Sequence, residues 1–292
     1  MPYGMPYKGS KSRIAERLLS VLPAGRRFVD LFGGGGAMAH AAALSGKYEA
    51  VLYNEILPHI AALFERAING GFRDFIPRWI SRGEFHAKKE TDGYVATCWS
   101  FANNLRDYMF SAELEPIKKR LFEYIVGGEL SPELFGTFPE AALRAVTGDT
   151  VHTRYLSLKK QLREYGRRAD IEPLERLGRL QRLERLDKLQ ALAPALRCDI
   201  AITSGSYEDY IYQPHDVVYC DIPYEETNKY ITPFDWRAFY AWALSRPYPV
   251  YISSYDAPLA CVYERPTKSL MSYQKRHTAA VERLYINKEA AA

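Results

Sequence analysis

The feature that most constrains the fold is a short apolar stretch, residues 27–32, which runs directly into four glycines at residues 33–36. The stretch is typical of a buried β-strand, and the small residues at 37–44 are typical of a helix packed closely on a sheet. Glycines between two such elements permit positive φ angles and let the backbone approach a ligand. A second strand candidate, a second helix candidate and the resulting β-α-β-α order predict a doubly wound α/β sheet.

The α/β pattern stops after residue 69 and resumes near residue 196. The intervening part is rich in aromatic residues, Arg and Asn without clean alternation, so we predict an inserted, mostly helical domain over residues 70–195. Residues 1–69 and 196–288 then form one discontinuous α/β domain. The predicted strands of its second part lie at residues 199–202, 216–220 and 249–253, followed by a final pair at 269–273 and 282–286.

Bulk composition excludes several classes of protein and selects none. The chain has 292 residues, 47% of them hydrophobic, which suffices for one large domain or two smaller ones. The net charge is only +4, so overall charge does not indicate nucleic-acid binding. The four cysteines form no C-x-x-C pair, and we find neither a membrane-spanning run nor a signal peptide. We therefore expect a reduced intracellular protein.

A leucine repeat with a strict spacing of three occupies residues 171–192. On one continuous helix these side chains would spiral around the axis, so leucine would need contacts on every side. Residues 154–190 hold eleven Lys or Arg against six Asp or Glu. A basic helix beside nucleic acid is one interpretation. We favour the other, a solvated linker between two domains, because charge runs are common on exposed helices. The repeat comprises Ile171, Leu174, Leu177, Leu180, Leu183, Leu186, Leu189 and Leu192.

The glycine turn by itself leaves several functions open. It fits a plain strand-to-helix turn, and Gly34-x-Gly36-x-x-Ala39 also fits a loose dinucleotide fingerprint, with Glu55 near the distance expected for a ribose contact. A nicotinamide oxidoreductase is therefore one hypothesis. An adenosyl cofactor is another, since an acid at the end of the second strand can accept both ribose hydroxyls. Tyr7 could stack and Lys11 could pair with a carboxylate.

The run Asp221-Ile222-Pro223-Tyr224 after a predicted strand is the sharper signal. The exocyclic amine of adenine is a poor nucleophile, because its lone pair is delocalised into the ring. The Asp221 carboxylate and the Ile222 carbonyl could accept its two hydrogens and direct the lone pair. Pro223 fixes φ at the corner, and Tyr224 offers a ring for a base extruded from the helix. Such catalysis needs positioning and electrostatics, so we expect no metal. A simple turn also fits these residues.

In this order and spacing, the motifs resemble the Dam-like D12-class DNA adenine N6-methyltransferases, in which a recognition domain lies between the glycine motif and the catalytic motif. The resemblance covers most of the chain and thins between residues 120 and 195. It is carried by Tyr7-Lys8-Gly9-Ser10-Lys11, residues 28–36, Asn54-Glu55, Ser206-Tyr207, residues 217–224 and Ile252-Ser253-Ser254-Tyr255-Asp256. A further resemblance, to the inserted domain of phage-type members, is carried by Trp99-Ser100-Phe101-Ala102-Asn103-Asn104.

The resemblance implies a Rossmann-like catalytic domain that uses S-adenosylmethionine, with residues 70–195 as the target-recognition domain. It implies that the substrate is double-stranded DNA and that the target base is flipped out of the helix. It also implies that the protein acts in the cytoplasm of a bacterial or phage-infected cell. Whether a partner restriction endonuclease exists is left open. Asp221 matches the catalytic acid and Tyr224 the stacking aromatic. The cofactor-binding residues implied are Tyr7, Lys11, Phe32, Gly33, Gly34, Gly35, Gly36, Glu55, Ser206, Tyr207 and Asp221.

Two residues depart from the family pattern. Ile222 stands where the family usually has proline, which leaves a carbonyl in place but makes the corner less rigid. Glu55 stands where an aspartate is common, and its longer side chain should still reach a ribose. The family-like function therefore has three rivals: methylation of cytosine N4 or of RNA adenine, a cofactor-binding DNA-binding protein without turnover, and the nicotinamide enzyme.

Residues 99–120 hold the candidates for DNA contact. Asparagine can read adenine and arginine can read guanine, so we predict that Asn103, Asn104 and Arg106 contact DNA. Lys118 and Lys119 suit phosphate contacts. Trp99 and Phe101 are instead predicted to belong to the core of the insert.

Overall fold

The computed structural model describes residues 3–169, 178–192, 196–224, 233–268 and 279–288. Its internal contacts divide the chain into two compact units. One unit combines Met1–Asn69 with Leu192–Ala292, and the other is Gly70–Ala191. The chain thus enters the first unit, leaves it for the second, and returns.

The first unit is built on a mostly parallel sheet, and within the described residues this sheet has seven strands. Their order across the sheet is β3-β2-β1-β4-β5-β7-β6. Neighbours from β3 to β5 run parallel, whereas β7 is antiparallel to both β5 and β6. This confirms the predicted α/β class. The strands are β1 (Arg27–Asp30), β2 (Ala50–Asn54), β3 (Ile200–Thr203), β4 (Asp216–Asp221), β5 (Val250–Ser254), β6 (Ala260–Lys268) and β7 (Ala279–Ile286).

The strand order reverses between β1 and β4. From β1 the chain moves outward through β2 and β3, and it then returns to β4 on the other side of β1. Open α/β sheets bind ligands outside the carboxyl ends of the strands at such a point. Asp30 ends β1 and pairs in register with Tyr219, two residues before Asp221 at the end of β4. The glycine turn (residues 33–36) and the residues 221–224, here called the Asp221 corner, therefore follow neighbouring strands at the same edge of the sheet.

Small side chains allow the helices of this unit to pack closely on the sheet. Residues 37–43 are all buried, which suits a helix of alanines against the strands. Residues 58–68 form a helix as predicted, with proline at its start, where a missing N–H costs nothing. The helices of this unit are α1 (Ala15–Val21), α2 (Ala37–Ser45), α3 (Pro58–Ile68) and α10 (Trp236–Ser245).

The final strand pair differs from the prediction. The predicted strand at 282–286 lies within β7, but its hairpin partner is β6, at residues 260–268. The predicted partner, residues 269–273, lies outside the described residues. Tyr263, Glu264 and Arg265 carry polar groups in β6, and Pro266 cannot donate a ladder bond, so the segment lacks the apolar run that marks a buried strand. An edge strand tolerates both features.

The second unit is helical, as predicted for the insert. Its core is a cluster of buried side chains that includes Phe122, Phe138, Tyr155, Leu158 and Leu180. Its helices in the described residues are α4 (Arg82–Lys88), α5 (Gly93–Trp99), α6 (Glu115–Gly127), α7 (Glu140–Arg144), α8 (Val151–Ala169) and α9 (Gln181–Gln190).

The interpretation of the leucine repeat as a solvated linker is wrong for its described part. Helix α9 is embedded in the second unit, and the repeat leucines from 180 to 192 are at most 4% exposed. The leucines of α9 are buried because the helix packs against α5 and α8, while Gln181 and Lys188 of the same helix are exposed. Two of its basic side chains, Arg182 and Arg185, are buried as well. Ile171, Leu174 and Leu177 lie outside the described residues.

Arg182 is enclosed by aromatic rings. Its guanidinium carbon lies 3.9 Å from the ring centre of Phe122, 4.5 Å from that of Trp79 and 4.6 Å from that of Trp99. Its three guanidinium nitrogens have no hydrogen-bond partner among the described residues. Burial lowers the pKa of Arg182 to about 9. Cation–π attraction thus takes the place of a carboxylate partner.

Candidate active site

The glycine turn has a shape that side chains would prevent. Gly36 has φ +70°, and a Cβ there would lie 2.3 Å from the ring of Phe64. A Cβ on Gly33 would lie 2.2 Å from the ring of Tyr53. The hydroxyl of Tyr53 donates to the carbonyl of Gly34 at 2.8 Å. The turn therefore packs directly against Tyr53 of β2 and Phe64 of α3, which only glycines at these positions allow.

Glu55 is held against this turn. Its Oε2 accepts the Gly34 N–H at 2.7 Å, and its Oε1 accepts the Leu57 N–H at 3.0 Å. The residue is only 6% exposed, and burial raises the pKa of its carboxyl. Glu55 thus lies directly after β2 beside the glycine backbone, and its contact with a ribose stays a prediction.

Asp30 is a buried acid that the sequence reasoning did not select. It is 2% exposed, and its Oδ1 has no hydrogen-bond partner among the described residues. Burial, together with the charges of Asp221 and Glu55, raises the pKa of Asp30 to about 8. Its position at the end of β1, three residues before Gly33, was the available signal. The carboxyl groups of Asp30, Glu55 and Asp221 therefore lie near one another at the switch point, where the strand order reverses between β1 and β4.

The catalytic candidate Asp221 forms an ion pair with Lys11. Lys11 Nζ lies 2.6 Å from Asp221 Oδ1, and both side chains are largely shielded from water. Lys11 thus pairs with a carboxylate of the protein itself, and its contact with a cofactor stays a prediction. Burial raises the pKa of Asp221 to about 6, while Lys11 opposes that rise and the charge of Glu282 adds to it.

Tyr224 is buried in this structure, with 7% of its surface exposed. Its hydroxyl donates to Glu282 Oε1, its ring centre lies 4.7 Å from Lys11 Nζ, and the ring of Tyr255 packs against it edge-on at 4.4 Å. A base can stack on Tyr224 only after the ring is uncovered. Glu282, on β7, is a member of the site that the sequence reasoning missed.

The corner after β4 is anchored on both sides. The side chain of Ile222 is 1% exposed and packs in a core cluster with Phe239 and Trp242. The carbonyl of Pro223 accepts a hydrogen bond from Trp236 Nε1 at 2.6 Å. The isoleucine at the usual proline position thus gains rigidity from packing, and Trp236 supplies a second constraint that sequence motifs did not reveal.

The remaining cofactor candidates described below, Tyr7, Phe32, Ser206 and Tyr207, all lie in the first unit. Tyr7 packs on the glycine turn, because a Cβ on Gly35 would lie 2.5 Å from the Cβ of Tyr7. Phe32 and Tyr207 stack with ring centres 5.4 Å apart. Ser206 caps the short turn that begins at Tyr207. The structure thus places these residues at the ends of β1 and β3, and their contact with a cofactor stays a prediction.

The DNA-contact candidates form a strained loop in the second unit. Ala102, Asn103 and Leu105 all have φ between +49° and +60°, the left-handed region that residues other than glycine rarely adopt. Asn103 Nδ2 donates to the Thr97 carbonyl, Asn104 Nδ2 donates to Asp107, and Arg106 forms an ion pair with Asp107. These three residues stay predicted DNA contacts.

Two assignments in this region need correction. Trp99 is buried as predicted, but Phe101, also predicted to be core, is 59% exposed. Lys118, predicted to contact phosphate, is 5% exposed, and its Nζ donates to the Arg179 carbonyl at 2.9 Å. Burial lowers the pKa of Lys118 to about 8. Lys119, by contrast, is half exposed and lies 3.8 Å from Glu123.

The described residues lack two features. No cluster of three or more His, Cys, Asp or Glu side chains in these ranges has an arrangement that could hold a metal ion. No helix there is long and apolar enough to cross a membrane.

Comparison with known proteins identifies the first part of the chain. Residues 7–119 match the family described as D12 class N6 adenine-specific DNA methyltransferase. The matched stretch includes Tyr7, Lys11, the glycine turn and Glu55, whereas the Asp221 corner lies beyond it. No curated protein matches the chain. The match supports an enzyme of DNA adenine methylation, and it confirms the resemblance to the D12-class N6 adenine-specific DNA methyltransferases.

Proposed function

We propose that this protein transfers a methyl group from S-adenosylmethionine to N6 of an adenine that has been flipped out of double-stranded DNA at a specific sequence. The observation that carries the proposal is the meeting of the glycine turn and the Asp221 corner at the switch point of the sheet. The first can hold an adenosyl cofactor and the second can hold an amine.

The charge of the site favours a cationic cofactor. Asp30, Glu55 and Glu282 are buried, Asp221 is half-buried, and Lys11 forms ion pairs with Asp221 and Glu282. S-adenosylmethionine carries a sulfonium and an ammonium, which such a site attracts. A dinucleotide brings two phosphates instead, and Glu55 already accepts the Gly34 N–H that a phosphate would need. These contacts argue against the nicotinamide hypothesis.

S-adenosylmethionine would supply an electrophilic methyl group on sulfur, and the orphaned Oδ1 of buried Asp30 fits a cationic partner. In the reaction the N6–carbon bond forms as the sulfur–carbon bond breaks, and N6 releases one proton. The Asp221 carboxylate accepts a hydrogen bond from the amine, directs its lone pair and can take up that proton. With a pKa near 6, this group is a better proton acceptor than an ordinary aspartate.

The adenine would be held by the corner residues. The carbonyl of Ile222 supplies a second acceptor for the amine, and the buried Ile222 side chain keeps that carbonyl in position. Tyr224 provides the stacking ring once it is uncovered. Extrusion of a base costs a few kcal/mol, which contacts with this corner would offset.

The second unit is the proposed target-recognition domain. Its strained loop presents Phe101 and Arg106 with exposed side chains and Asn104 with a half-buried one. Aromatic, amide and guanidinium groups suit contacts with base edges and base steps. DNA affinity should therefore fall steeply with salt, since phosphate neutralisation releases counterions. We expect the enzyme to act in the cytoplasm, and a partner nuclease stays a prediction.

The test is a product analysis with labelled S-adenosylmethionine and unmethylated duplex DNA. After digestion to nucleosides, mass spectrometry should find N6-methyladenine with the wild type and with Asp199→Ala, whose side chain is exposed. Asp221→Ala should yield none. N4-methylcytosine, or methylation of RNA alone, would overturn the substrate assignment. Bound cofactor without any methylated base would favour the binding-protein hypothesis, and tight NADH binding would favour the oxidoreductase.

A further inference from the structure

Glu282 is a buried acid near the middle of β7, the last described strand. It is 6% exposed, its Oε1 accepts the Tyr224 hydroxyl, and the same oxygen lies 3.6 Å from Lys11 Nζ. Lys11 in turn lies 2.6 Å from Asp221. One carboxylate therefore contacts both the proposed stacking ring and the cation paired with the proposed catalytic acid.

The topology explains why an acid from the end of the chain reaches this site. Strand β7 is antiparallel to β5, and Ser254 at the end of β5 pairs with Arg283. The start of β7 consequently lies at the same edge of the sheet as the ends of β4 and β5. Glu282 occupies the strand position just before this pair, beside the Asp221 corner.

We propose that Glu282 is a positioning residue of the methyltransferase site, which sets the orientation of Tyr224 and of the Lys11 ammonium beside Asp221. This inference rests on the proposed function. Glu282 lies on the same face of β7 as the buried Leu284 and Ile286. At such a position an apolar side chain would avoid the desolvation cost of a carboxylate. Its hydrogen bond and ion pair offset that cost, which ties the geometry of the site to this strand.

The role requires that Glu282 act through its two partners. Without its carboxylate, the Tyr224 hydroxyl loses the hydrogen bond to Glu282, which removes one constraint on the orientation of the ring. Lys11 keeps its ion pair with Asp221 but loses the attraction of the second carboxylate. The titratable groups that interact with Asp221 include Lys11, Glu282, Tyr224 and Asp30, together with Tyr219 and Cys220 of β4. Of these, the charge of Glu282 favours the protonated form of Asp221, so its removal should favour the carboxylate.

The test compares Glu282→Gln with Glu264→Gln. Glu264 lies on β6 with its side chain 67% exposed, paired with Arg283. Under single-turnover conditions Glu282→Gln should methylate DNA roughly 10-fold to 100-fold more slowly, with cofactor affinity within about twofold of wild type. The acid limb of its pH–rate profile should move to lower pH. Tyr224→Phe should also slow the reaction, and the double variant should lose less than the product of the two single losses.

A second measurement is independent of turnover. In protein labelled with 3-fluorotyrosine, Tyr224→Phe identifies the fluorine signal of Tyr224, and Glu282→Gln should shift that signal while Glu264→Gln should not. An unchanged signal together with an unchanged rate and pH profile would overturn the proposal. If the wild type does not methylate adenine, the proposed function fails by itself, and the fluorine signal still decides whether Glu282 orients Tyr224.

Discussion

Lys11 Nζ lies 2.6 Å from Asp221 Oδ1, although 210 residues separate the two along the chain. Lys11 follows Gly9-Ser10 near the start of the chain, and Asp221 ends the central strand β4. The pair joins the family-matched part of the sequence to the corner that lies beyond the match. The ionisation of Asp221 is therefore set by residues from three distant parts of the chain.

Replacing Lys11 by Met should make the reaction more sensitive to acid. Lys11 lowers the pKa of Asp221, which burial raises to about 6, so its loss should raise that pKa further. Because the carboxylate is the active form, the acid limb should move to higher pH, opposite to the shift expected for Glu282→Gln. We expect a rate about 10²-fold lower at neutral pH. Lys288→Met, an exposed lysine after β7, is the control. An unmoved acid limb would contradict the role of the pair.

Replacing Asp30 by Asn should stabilise the protein and weaken cofactor binding. The pKa of Asp30 is raised to about 8, above a value of about 4 for an unfolded chain. The folded state then binds a proton that the unfolded state releases, so the free energy of unfolding falls as pH rises from about 4 to 8. Asp30→Asn removes this fall.

Urea unfolding at pH 5 and pH 8 measures this difference. Relative to Asp199→Asn, we expect the gain in the free energy of unfolding to be about 4 kcal/mol larger at pH 8 than at pH 5. Calorimetric titration should show weaker S-adenosylmethionine binding. Equal gains at the two pH values would indicate that Asp30 does not titrate in this range.

Replacing Gly36 by Ala should destabilise the first unit. Gly36 has φ +70°, and an added Cβ would lie 2.3 Å from the ring of Phe64. The left-handed conformation costs an alanine about 1–2 kcal/mol, and the displacement of a buried ring adds to that loss. Gly83 is the matched control, since it lies in helix α4 with no atom within 4 Å of an added Cβ. Gly83→Ala should be neutral or stabilising by about 0.5 kcal/mol in urea unfolding. A stable Gly36→Ala protein would show that the turn adapts.

The buried guanidinium of Arg182 should be replaceable by a thioether of similar length. Its desolvation lowers its pKa to about 9, and its nitrogens have no hydrogen-bond partner among the described residues. Arg182→Met keeps contact with the aromatic rings and removes the charge, so the free energy of unfolding should be unchanged or higher. Arg182→Ala should lower it by about 3 kcal/mol by leaving a cavity. A loss above about 2 kcal/mol in the Met variant would mean that cation–π attraction outweighs desolvation.

Sequence reasoning succeeded where the signal is local. The strand before the glycines, helix α3 and strand β4 were all predicted from apolar patterning, which depends on neighbours a few residues away. It failed for α9, because the leucine repeat has the charge content of an exposed helix and only its tertiary surroundings bury it. Phe101 is the converse case. An aromatic residue suggests a core, yet Phe101 lies at the start of a loop with left-handed residues and is 59% exposed.

The sequence by itself determined the α/β class, the glycine turn and the acid at the end of β4, because each depends on residue types along a short stretch of chain. Only the tertiary structure decided the neighbours of Asp221. Strand order places β1 beside β4, and the antiparallel return of β7 places Glu282 beside Tyr224 and Lys11. No local pattern contains those pairings, since they arise from the packing of segments that are far apart in the chain.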